Sequence, residues 1–201
     1  MSDRLSTLPG VMDPLEIDAT PPAPKPLALS ASRAADFRQC PLLYRLKTVD
    51  RIPEPKTRAQ VLGTVVHAVL EALYGLGQTG RAPERAAELV PTAVDRFYEL
   101  ESGAEVVPSE QRPEFQAEVA ALVSALYGVE DPQRFTPESC ERYIITATDA
   151  GTPLNGYLDR VDVAPTGEVR VVDYKTGKPP HPRFQDKAMF LMRFYALMYQ
   201  R

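Results

Sequence analysis

The stretch "RVVDYKTGKPP", residues 170–180, decides how the rest of the chain is interpreted. Val171 and Val172 are typical of a buried strand, whereas Asp173 and Lys175 place two charges in it, two positions apart. A charge inside a sheet is costly unless it is paired or bound to a metal. The stretch therefore predicts a strand that carries a functional site, and the glycine and prolines behind it predict the end of that strand.

Two more strands are expected upstream of this one. Apolar and β-branched residues dominate "CERYIITAT" at 140–148, "LNGYLDRVDVA" at 154–164 and "EVRVVDYKT" at 168–176. Turn residues separate them at Asp149-Ala150-Gly151 and at Pro165-Thr166-Gly167. The pattern predicts a three-stranded meander.

Helical spacing of apolar residues surrounds this meander. It runs over 58–77, where glycines end it, and further helices are expected at about 83–101, 112–127 and 185–200. An earlier helix is expected to begin at Ser30 or Ser32 and to be interrupted by Pro41. The order predicts an α/β or mixed α+β fold with a small central mixed sheet flanked by helices.

Composition limits the class of protein. The 201 residues suffice for one sizeable domain, expected at 29–201, after a flexible proline-rich arm at 1–28. The chain stops inside an apolar helix, so the domain is expected to be truncated at its C-terminal end. Two cysteines exclude a disulfide framework, and no apolar run is long enough for a membrane span, which favours a cytoplasmic protein. A net charge of −4 argues against a protein that coats nucleic acid but does not exclude one with a locally basic groove.

The second hairpin brings charges together. If its loop is 165–167, Asp159 lies directly opposite Asp173, and Lys175 shares their face. Opposed carboxylates repel, and a divalent cation such as Mg²⁺, which also expects phosphate oxygens, would offset that repulsion. The alternative is a plain salt bridge between Lys175 and an acid on a solvent-facing side of the hairpin.

Two further features bear on the site. His67 lies on the apolar stripe of its helix, four residues before Glu71, and is either a core histidine or a nitrogen ligand. Asp162 should face away from the site and pair with Arg160.

"GYLDRVD" followed by "VVDYKTG" resembles the nuclease core of the RecB-like exonucleases, within the PD-(D/E)XK, restriction-endonuclease-like superfamily. The resemblance implies that Asp159 and Asp173 hold Mg²⁺ or Mn²⁺ and that Lys175 is catalytic. "GTVVHAVLE" is similar to an upstream helix of that family whose histidine is a metal ligand, which implies the same role for His67. It also implies that the backbone carbonyl of Tyr174 contacts the metal.

Two other segments resemble the family in part. "SRAADFRQCPLLY" is similar to the segment that carries the first of four iron–sulfur ligands in some members, so Cys40 is a candidate ligand if the parent chain continues past Arg201. "FLMRFYALMY" is similar to a Q-x-x-x-Y-A helix that positions DNA; Tyr195 matches, but Leu191 stands where glutamine is expected. Basic candidates for phosphate contacts are Lys178, Arg183 and Arg160.

These features predict a divalent-metal-dependent DNA nuclease, an exonuclease of repair or recombination acting on single-stranded DNA or duplex ends. Helicase or repair subunits are candidate partners. One alternative is a nuclease-like DNA-binding or scaffold module, inactive because Leu191 and the expected loss of a C-terminal segment leave the site incomplete. A more distant alternative is a phosphohydrolase for small nucleotides, which a deep, closed pocket would favour.

Overall fold

The computed structural model describes residues 27–99, 103–178, 181, 183 and 185–200. The predicted arm at 1–28 therefore lies outside the described residues except for its last two positions. Within the described residues the helices are α1 Ala31–Gln39, α2 Pro41–Tyr44, α3 Arg58–Tyr74, α4 Pro83–Glu99, α5 Gly103–Val106, α6 Arg112–Ala125 and α7 Gln185–Tyr199. The strands are β1 Ser139–Ala147, β2 Pro153–Val163 and β3 Val169–Val172. Shorter turns are π-helical at Arg45–Val49 and 3-10 at Gln78–Gly80, Ser109–Gln111 and Leu126–Gly128. The predicted mixed α/β class is confirmed.

The three strands form an antiparallel meander in the order β1-β2-β3. Gly151 (φ 79°) and Gly167 (φ 98°) lie in the two predicted turns, in a backbone conformation that glycine adopts without strain. The predicted register is confirmed, because Arg160 pairs with Val172. β3 is shorter than predicted, since the chain leaves the ladder after Val172. Among the described residues, parallel pairing is limited to the bridge between Leu29 and Leu154.

Capping residues fix where the helices begin. The Thr57 hydroxyl accepts from the backbone N–H of Gln60, whose side chain accepts from the backbone N–H of Thr57, so α3 starts with a capping box. Ser30 caps α1 by accepting from the backbone N–H of Arg33 at 3.3 Å. Pro41 opens α2 after α1 has ended, as predicted.

Two apolar clusters hold these elements together. The first joins α3, α4 and α6 through fully buried side chains that include Val69, Leu73, Val94, Phe115 and Val119. The second joins α1, α7 and β2 through Ala31, Ala34, Leu154, Phe194 and Met198. In the part of the chain described, no helix combines the length and hydrophobicity that crossing a bilayer requires. The cytoplasmic location stays a prediction.

Candidate metal centre

The site forms where β2 and β3 separate. The ladder ends at the pair Arg160–Val172, so the next positions are Asp159 within β2 and Asp173 directly after β3. The backbone N–H of Tyr174 donates to Asp159 Oδ2 at 2.7 Å instead of to a strand carbonyl. The two acids thus occupy neighbouring positions at the end of the hairpin, as the sequence predicts, and the backbone of the third strand orients one of them.

Helix α3 places His67 beside Asp159. His67 Nδ1 lies 3.7 Å from Asp159 Oδ2 and 3.7 Å from Glu141 Oε1. Its other ring nitrogen, Nε2, is 3.1 Å from the carbonyl oxygen of Tyr174. A carbonyl can only accept, so Nε2 carries a proton and Nδ1 is the ring nitrogen that faces the two carboxylates. A histidine that donates to a backbone carbonyl and presents its free nitrogen beside acids is typical of a metal ligand.

Glu141 completes the set, and the sequence analysis missed it. One oxygen or nitrogen from each of His67, Glu141 and Asp159 lies within 4.8 Å of the others. Glu141 falls opposite Asp159 in the register set by its neighbours in β1 and β2, and its φ of 47° is unusual for a residue other than glycine. The sequence could have indicated Glu141, because a hairpin centred on the predicted turn at 149–151 places Glu141 opposite Asp159.

Burial and like charge destabilise the ionised acids. Burial, followed by the charge of Asp159, raises the pKa of Glu141 above its usual range. Burial also raises the pKa of Asp159, more than the nearby His67 and the Tyr174 N–H lower it. A bound divalent cation would offset both effects, so the donor set fits a hard metal ion with oxygen and nitrogen ligands.

Asp173 and Lys175 form the second half of the site. Lys175 Nζ lies 2.5 Å from Asp173 Oδ2, with the lysine side chain 65% exposed and the aspartate side chain 7% exposed. The salt bridge considered as an alternative is therefore present, although its acid is buried rather than solvent-facing. His67, Asp159, Asp173 and Lys175 line one groove of about 590 Å³.

The structure places the other predicted residues either in this groove or at exposed positions. Tyr195 lines the same groove, and burial raises its pKa to about 12, so it stays protonated. Leu191 lines the groove beside it, where the resemblance implies glutamine. Lys178 and Arg183 are exposed, and their phosphate contacts stay predictions.

Two further predicted ligands do not belong to the His67–Glu141–Asp159 set. Cys40 is exposed at the end of α1, and its role in a cluster stays a prediction. The carbonyl of Tyr174 accepts from His67 in this structure, and its contact with a metal also stays a prediction.

The predicted phosphate contact of Arg160 is wrong, because its side chain is fully buried. Its Nη1 directs two protons at three oxygens, Glu130 Oε1 at 2.5 Å and the hydroxyls of Tyr74 (2.6 Å) and Tyr174 (2.5 Å). Its Nε lies 3.0 Å from Asp162 Oδ1, which confirms the predicted pairing with that acid. Arg160 therefore acts on the site indirectly, by holding the side chain of Tyr174.

Glu130 is held ionised by the same contacts. Burial alone would raise its pKa, but the hydrogen bonds from Arg160 and Tyr74, with the charges of Arg160 and Arg170, bring the pKa below the usual carboxyl range.

Comparison with known proteins agrees with this geometry. The family model of the PD-(D/E)XK nuclease superfamily matches residues 28–201. The chain is similar to the Gene 69 protein of Mycobacterium phage D29, with 28% identity over an alignment of 191 residues that covers 78% of this chain. The match spans 65% of the length of that phage protein. With 28–201 matched and the acids and lysine of the motif at one groove, the chain belongs to the PD-(D/E)XK nuclease superfamily.

Proposed function

We propose that this chain is a divalent-metal-dependent DNA nuclease of the RecB-like type, cleaving from DNA ends in repair or recombination. The observation that carries the proposal is the His67–Glu141–Asp159 set, each member of which lines a groove that Lys175 also lines. Mg²⁺ or Mn²⁺ is the proposed cofactor, because oxygen donors with one imidazole suit small hard cations. Helicase or repair subunits are the proposed partners.

Each residue has a distinct role in this proposal. His67, Glu141 and Asp159 would hold the metal, with Asp173 beside them. When bound, the metal supplies Lewis acidity toward a phosphate oxygen and lowers the pKa of water. Lys175, whose ammonium group is exposed to the groove, positions the attacking water and balances charge that develops on the phosphate.

The open shape of the site favours a polymer over a small nucleotide. Two grooves, of about 670 and 590 Å³, both include His67 and Lys175, so the site is approached from both sides. A closed pocket, which would favour a small-nucleotide phosphohydrolase, is not what surrounds these two residues. A strand of DNA could pass along such a surface.

A second candidate is an impaired DNA-binding or scaffold module. The observation that favours it is Leu191, which lies in the groove next to Tyr195 and cannot donate or accept a hydrogen bond.

The test is degradation of end-labelled single- and double-stranded DNA with Mg²⁺, Mn²⁺ or EDTA. We expect metal-dependent cleavage that Lys175→Ala reduces by about 100-fold or more, as expected for loss of transition-state charge stabilisation. Lys56→Ala is the matched control, because Lys56 is an exposed lysine that does not line either groove. A folded protein that binds DNA but leaves it intact under all metal conditions would support the impaired module instead.

A further inference from the structure

Two tyrosines form an exposed aromatic pair on the sheet. Tyr143 of β1 and Tyr157 of β2 are direct partners in the antiparallel ladder, so their side chains share a face. Their ring centroids lie 4.7 Å apart at an interplanar angle of 37°. They are 46% and 58% exposed, whereas their neighbour Ile144 packs against the second apolar cluster on the other face.

This pair lies next to the candidate metal centre. Tyr143 and Tyr157 line the same groove as Asp159 and Lys175. Tyr157 also precedes Asp159 by two positions in one strand, a separation of about 7 Å along the chain. A nucleotide whose phosphate sits at the metal centre therefore has an adjoining base within reach of the rings.

The pair is held in place while its rings stay accessible. Asn155 Nδ2 donates to the Tyr143 hydroxyl at 3.1 Å, which fixes the outer end of that ring. Cross-strand aromatic pairs also stabilise sheets by themselves, and that role alone would give the pair no function. Its place in the groove wall, together with Arg33 from α1, distinguishes it from an ordinary surface pair.

We propose that Tyr143 and Tyr157 form a stacking platform for an unpaired base, so that the substrate class is single-stranded DNA or a frayed end. Bases in a duplex are stacked on each other, and an unpaired base offers its face to an aromatic side chain. Stacking tolerates any base, as a nuclease without sequence preference requires. The inference rests on the proposed function, because it assigns the substrate of the same site.

The test is binding of single-stranded oligonucleotides in EDTA, which separates binding from cleavage. The fluorescence of 2-aminopurine placed along the oligonucleotide reports stacking on an aromatic side chain, and the variants assign that stacking to Tyr143 and Tyr157. We expect 2-aminopurine quenching in the wild type that is lost in Tyr143→Val and Tyr157→Val. The dissociation constant should rise roughly 5- to 150-fold, which corresponds to the loss of one base–aromatic stack.

Matched controls keep the result interpretable. Tyr157→Phe retains the ring and should bind within about twofold of the wild type, because stacking needs no hydroxyl. Valine suits a strand, and unfolding curves will verify that the variants stay folded. Equal binding by the valine variants and the wild type would overturn the platform.

Failure of the nuclease proposal gives a different pattern. A wild type that cleaves nothing with Mg²⁺ or Mn²⁺, yet loses base stacking when Tyr157 is replaced, would refute the nuclease and leave the platform standing. Cleavage of single strands at the wild-type rate by Tyr157→Val, with unchanged binding in EDTA, would refute the platform and leave the nuclease standing.

Discussion

Replacing the buried arginine behind the site should cost far more stability than replacing its exposed neighbour. Arg160 and Arg170 contact the same two acids, Glu130 and Asp162. Their side chains are 0% and 57% exposed, respectively. Methionine keeps much of the length of the side chain but removes the charge, so Arg160→Met leaves two partly buried carboxylates with only the exposed arginine to compensate them.

The magnitude follows from that difference in burial. Removing one partner of a buried ion pair costs about 3–5 kcal/mol, because the remaining charge is left uncompensated. Arg170 can still reach both acids, so we expect about 3 kcal/mol for Arg160→Met. For a chain of this length that corresponds to a fall of roughly 10 °C in the unfolding midpoint. An exposed ion pair contributes below about 1 kcal/mol, which is the limit we expect for Arg170→Met.

Urea unfolding at neutral pH, followed by circular dichroism, measures both variants against the wild type. If the free energy of unfolding of Arg160→Met lies within about 1 kcal/mol of the wild-type value, the buried network does not stabilise the fold as we infer. Equal losses for Arg160→Met and Arg170→Met would also refute the argument, because burial would then make no difference.

Three more results are expected. Glu141→Gly should raise the free energy of unfolding by about 1 kcal/mol without metal, because it relieves a φ of 47°, while titration calorimetry should show weaker Mn²⁺ binding. Tyr174→Phe should lower stability by about 1 kcal/mol and slow DNA cleavage, since it removes the hydrogen bond from Arg160 that anchors the backbone contacts to Asp159 and His67. The pKa of Glu130 is lower in the folded chain than in the unfolded one, so its contribution to stability is complete above the ordinary carboxyl pKa and is lost as pH falls below it. Glu130→Gln should therefore lose less stability than the wild type between neutral and acid pH, as measured by urea unfolding.

Turn residues made the strand arrangement predictable. Gly151 and Gly167 mark the two turns, and a turn fixes which residues of a hairpin oppose each other. That reasoning placed Asp159 at the level of Asp173 from sequence alone. Applied to the first hairpin as well, it would have reached Glu141.

The surroundings of Arg160 were not predictable in the same way. Its acidic partner Glu130 lies 30 positions earlier, outside the strands, and reaches it only through tertiary packing. An arginine in a strand beside an acid has the same local pattern whether it is exposed or fully buried. The shortened β3 has a similar cause, since Tyr174 uses its backbone N–H on a carboxylate rather than on a neighbouring strand.

Tyr174, between the acid and the lysine of the motif, connects these observations. Its N–H orients Asp159, its carbonyl accepts from Nε2 of His67, and its hydroxyl accepts from Arg160. The strand must leave the ladder for the first two contacts to form, because a backbone paired with β2 would have neither group free. The charged network behind Tyr174 therefore does more than compensate buried charge: it anchors the residue whose backbone arranges two of the three candidate ligands.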